Sequence, residues 1–106
     1  HFSGVVEETE EGDKIASALG DKTVLFMQNH GILSTGPSID IALWYYFSLE
    51  RCCQSQLMAD AAGTTTLISH ETAIKTREFI ANDLAAWASF QPLFDMITQK
   101  EPDLLD

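Results

Sequence analysis

The sequence is short of positive charge. Only 6 Lys and Arg stand against 16 Asp and Glu, for a formal net charge of -10. Nucleic acid is held by clustered cations that displace its counterions, and the six here are scattered, so no nucleic-acid partner is expected. Long apolar runs are also missing. None reaches the roughly 18 residues that a spanning helix needs, so no membrane is expected as a partner. No basic segment leads into an apolar one at the start, as a signal peptide would. Cysteine is confined to Cys52 and Cys53, which are adjacent. Neighbouring cysteines on a helix cannot bridge each other without distorting the backbone. They read as reduced, packed thiols of a cytoplasmic protein, and a sulfur-ligated metal site would need more of them. Internal repeats and low-complexity segments are absent as well.

What is present is ordinary globular material: 106 residues, 45% of them hydrophobic, enough for one modest core. The opening "HFSGVV" resembles the end of a strand, so residue 1 is expected to fall inside a larger domain. An acidic block, Glu7, Glu8, Glu10, Glu11 and Asp13, suits the solvated start of a helix better than a cation site. Thr9 is expected to cap that helix, Gly20 to end it, and Ile15 and Leu19 to face the core.

The run "TVLFM", residues 23–27, has strand length and no polar alternation, which predicts a strand covered on both faces. After Asn29, His30 and Gly31, a tight reversal, "ILSTG" is a second short strand. Ser38 is expected to cap a long helix over residues 39–62, about 36 Å at 1.5 Å per residue, with Gly63 at its end. Ile39, Ala42, Leu43, Tyr46, Leu49, Cys53 and Leu57 form its apolar stripe, and Trp44, Tyr45, Phe47 and Cys52 widen it. The aromatic cluster reads as packing. "GTTT" is a linker; Ser69 caps a helix to about Asn82; Asp83 starts another that Pro92 should interrupt or kink. The acidic tail "EPDLLD" should fray. Three short strands cannot cover so apolar a long helix, so further strands are expected from upstream or from another subunit.

His30 is the candidate for chemistry. A lone histidine in a turn is more often a surface or hydrogen-bonding residue than a metal ligand, and a ligand needs a partner for its second ring nitrogen. The setting favours the ligand: a buried strand delivers it, and Gly31 leaves room for close approach. Glu50, near the edge of the apolar stripe, must be paired or hydrated. It is read as a structural ion pair with another element or subunit, with a supporting or catalytic role at a site as the alternative.

The ordered stretch "VLFMQNHGILSTGPSIDIALWYYFSLERCCQSQLMADAAG" resembles the C-terminal half of the class II aldolase/adducin family. The resemblance rests on an apolar strand, Asn29-His30-Gly31, a short strand ending at Gly36, and a long helix bearing Leu49-Glu50. "EEGDKIASALG" and "FQPLFDMI" look like the branch of class II aldolase and adducin domain-containing proteins. The resemblance implies an α/β fold, part of a three-layer α/β/α sandwich around a mainly antiparallel sheet, incomplete in this chain and assembled as a homotetramer. Residues 1–106 would form the C-terminal portion of one such domain. It also implies that His30 is one of three histidines holding Zn2+ or another divalent metal, the other two coming from an upstream His-x-His. Three neutral imidazoles leave the ion its charge and an open position to polarise a carbonyl and stabilise an enediolate. The implied function is that of a carbon-carbon lyase, or a related epimerase or dehydratase, acting on a small sugar or sugar phosphate. The alternative is an adducin-like, non-catalytic domain that binds cytoskeletal partners. The general base is expected upstream, no His-x-His occurs in this sequence, and His1 and His70 are no substitute. The tail offers Trp87, Phe90 and Phe94 but no tyrosine to serve as an acid across a subunit boundary.

Overall fold

The computed structural model describes residues 9–105. The strand expected in "HFSGVV" and His1 lie outside the described residues. Within them the chain is mixed α/β: a helix, a two-stranded antiparallel sheet, three further helices and a closing 3-10 turn.

Helix α1, Thr9–Leu19, begins with Glu10 and Glu11 in its first turn, where carboxylates meet the positive end of the helix dipole. Thr9 is already helical and so does not cap it from outside. Gly20 ends the helix at φ 55°, its N–H donating to the Ala16 carbonyl at 2.9 Å. This left-handed conformation is open to glycine without a Cβ penalty. Ile15 and Leu19 are half-buried, on the side that rests against the first strand.

Strands β1, Val24–Met27, and β2, Gly31–Ser34, pair antiparallel from Val24 opposite Ser34 to Met27 opposite Gly31. Burial along the strands does not alternate with the pleat. Val24, Leu25 and Met27 are half-buried, whereas Phe26 is 63% exposed. The expectation of a strand covered on both faces is corrected. Within residues 9–105 helices lie against the hairpin only in part: Val24, Ile32 and Ser34 on the face of Phe26 are half-buried, while Phe26 itself stays open to solvent.

Helix α2, Ile39–Ala62, has the expected bounds, but its start is built differently. Ser38 is extended, at φ -147° and ψ 163°, and its hydroxyl donates to the Asp40 carboxylate instead of accepting a helix N–H. Asp40 Oδ1 accepts the Ile41 N–H at 3.0 Å in its place. The loop before the helix sits close against it: a Cβ on Gly36 would lie 3.0 Å from the Ala42 nitrogen and 3.1 Å from Ile41 Cγ2. Ser34 Oγ donates to the Ala42 carbonyl at 2.8 Å, fastening β2 to the same turn.

Helix α3, His70–Ile80, is capped by Ser69, whose hydroxyl accepts the Thr72 N–H at 3.1 Å, as expected. It ends two residues early, because Asn82 caps the next helix by accepting the Ala85 N–H at 2.9 Å. Helix α4, Asp83–Lys100, continues through Pro92, which was expected to interrupt or kink it and does not interrupt it. A proline inside a helix costs about 3 kcal/mol. Packing of the preceding turns offsets that penalty, since Ala86 and Phe90 are both buried. The tail does not fray into an extended coil: Pro102–Leu105 form a 3-10 turn against α4.

The core sits where α2 crosses α4, and its buried residues are Ile41, Ala86 and Phe90. The expected stripe holds in part. Ala42, Leu49 and Cys53 are half-buried, but Ile39 and Leu57 point to solvent at 80% and 70% exposure, and Ile41, Tyr45 and Ser48 turn inward in their place. A helix with apolar residues on most sides carries too little periodic contrast to say which side faces inward. At the same crossing the Tyr45 phenol is pushed up, first by burial and then by the nearby Asp83 charge.

Candidate metal-binding turn

The hairpin is a machine for presenting one residue. Met27 closes the turn by accepting the His30 N–H at 3.1 Å, and Asn29, the third residue of that turn, takes φ 57°. Asparagine tolerates this left-handed region better than other side-chain-bearing residues. His30 follows at the last loop position, exposed, immediately before β2 begins at Gly31. The backbone is therefore fixed on both sides of a histidine that faces outward. That is a suitable mount for an imidazole ligand whose other partners come from elsewhere.

The other chemistry-bearing residues do not join it. Among the described residues no group of three or more His, Cys, Asp and Glu side chains could hold a metal ion. His70 is exposed at the start of α3. Glu50 is exposed on α2 and enters none of the ion pairs found among the described residues, so the expected structural pair does not form within them. Cys52 is exposed and Cys53 half-buried, both as free thiols, which corrects the expectation that both are packed. In the aromatic cluster, Tyr46 and Phe47 meet edge to face with ring centroids 6.2 Å apart, and Trp44 and Tyr45 are half-buried. Packing is the reading that geometry supports.

A divalent ion needs several donors at once, and His30 supplies one of the right kind, an imidazole suited to zinc. Its chemistry fits such a group as a single ligand; residues 9–105 alone do not complete the set.

One polar arrangement escaped the sequence reading. Asp40 accepts from Ser38 and Ile41 through Oδ1 and from Gln91 Nε2 through Oδ2 at 3.5 Å, which ties the start of α2 to α4. The Ser38 hydroxyl holds the Asp40 carboxyl below its ordinary value, with backbone donors and Gln91 adding to the effect against a partial loss of hydration. Gln91 also donates to the Trp87 carbonyl at 3.1 Å. Fifty-one residues separate Asp40 from Gln91, and no local pattern signals such a pair. The two residues border an open groove of about 400 Å³ between α2 and α4, otherwise lined by Ile39, Leu43, Phe90 and Phe94.

Comparison with known proteins places these features. Residues 3–57 match the model of the Class II Aldolase and Adducin N-terminal domain, just over half of the chain. Decarboxylase NovR of Streptomyces niveus is 36% identical over 103 residues, 97% of this chain and 38% of its own length. Rat alpha-adducin is 34% identical over 70 residues, 63% of this chain and 10% of its own. Among solved structures, L-fuculose 1-phosphate aldolase from Glaciozyma antarctica superposes with a TM-score of 0.82 at 36% identity, covering 86% of this chain and 36% of that one. The chain thus spans little more than a third of the decarboxylase and of the aldolase. With a matching family model, a shared fold and identity above a third, this chain belongs to the class II aldolase/adducin family.

Proposed function

We propose that residues 1–106 are the C-terminal portion of a single class II aldolase/adducin domain, and that the intact protein is a divalent-metal-dependent carbon-carbon lyase. In this reading further strands and helices from upstream complete a three-layer α/β/α sandwich and cover Phe26. His30 is one of the metal ligands, zinc is the metal of choice, and the remaining ligands and the general base lie upstream. The substrate is a small sugar or sugar phosphate, and the working form is a cytoplasmic homo-oligomer, a tetramer. The observation that carries the reading is the 0.82 superposition, at 36% identity, on a protein named as a sugar-phosphate aldolase.

The ion would supply Lewis-acid polarisation of a substrate carbonyl. What this chain contributes is position: the turn from Met27 to His30 fixes the backbone that carries the imidazole at the end of a hydrogen-bonded hairpin, so little backbone freedom is lost when it binds. The name of the decarboxylase relative is compatible with the same reaction class. Decarboxylation and retro-aldol cleavage both break a carbon-carbon bond and leave an electron pair that a nearby carbonyl can accept.

The test is metal analysis of the full-length protein against its His30→Ala variant. Loss of bound zinc in the variant, with unchanged circular dichroism, is the expected result. Equal zinc in both proteins would remove His30 from the ligand set. The second reading, an adducin-like domain without catalysis, is favoured by the alpha-adducin match. Full-length wild-type protein that binds no divalent metal would establish it over the lyase.

A further inference from the structure

We draw no further inference here: the strongest candidate, the open apolar groove between α2 and α4 that Ile39, Leu43, Phe90 and Phe94 line and Asp40 and Gln91 border, is an unpartnered face, and nothing in the structure shows what covers it.

Discussion

At the scale of single residues, the hairpin turn depends on Asn29 as much as on His30. An ordinary side chain pays about 1–2 kcal/mol to sit in the left-handed region, and glycine pays nothing. Asn29→Ala in the full-length protein should therefore lower stability by about 1 kcal/mol, while Asn29→Gly should stay within a few tenths. Urea unfolding of the two variants measures this, and equal losses would mean that φ 57° is not what the turn requires. Gly36 makes a complementary case, because the obstacle there is space and not conformation. Its added Cβ meets a backbone nitrogen at 3.0 Å, which cannot swing aside. Gly36→Ala should cost about 1–3 kcal/mol, as overpacking does elsewhere. His30 was legible because its neighbours spell a turn, and a turn residue between two paired strands has a defined place. Which residues would join it around a metal ion was not, since no spacing within the chain points to any.

Among the elements, some helix ends were legible and helix faces were less so. Ser69 and Gly20 act where their chemistry says they should, because a cap is a local event. Which side of α2 turns inward is decided by α4 and β2, and Ile41 rather than Ile39 was chosen by that packing. Pro92 failed as a stop signal for a related reason: burial of Ala86 and Phe90 fixes the helix on one side of it, and the chain continues helical on the other. Pro92→Ala should thus raise stability. Restoring an N–H for the Ala88 carbonyl regains up to about 3 kcal/mol, less roughly 1 kcal/mol for the freer unfolded chain. Phe90→Ala should lose about 3–5 kcal/mol, a cavity in the core. The Asp40 contacts add a pH dependence of defined sign. Its carboxyl titrates lower in the folded protein than in the unfolded one, so the stabilisation is fully present above the unfolded value of 3.8. It is lost as pH falls through the folded value. Urea midpoints measured from pH 5 to pH 2 should fall less steeply for Asp40→Asn than for the parent, and parallel curves would show that the Ser38 and Gln91 contacts do not favour the ionised form.

For the molecule as a whole, the buried surface is too small for its length. Fully burying a large apolar side chain contributes about 1.5–3 kcal/mol, and ordering each residue's backbone costs about 1–2 kcal/mol. Among the described residues only Ile41, Ala86 and Phe90 are buried, while Leu67 and Phe79 remain 81% and 83% exposed. The radius of gyration, 16.7 Å, exceeds the roughly 13 Å typical of a compact chain of this size. Exposed apolar residues therefore recur along α2, α3 and α4, and the net charge of -10 opposes compaction instead of helping it. Expressed alone, the 106-residue chain should show the far-ultraviolet signal of its helices with weak near-ultraviolet circular dichroism. It should also enhance the fluorescence of a hydrophobic dye and melt over a broad range without a cooperative step. The full-length protein should melt sharply and leave the dye dark. A sharp, dye-silent melt of the 106-residue chain would show instead that α2, α4 and the hairpin make a self-sufficient core. The apolar faces outside that core would then be ordinary surface, not the inner walls of a larger fold.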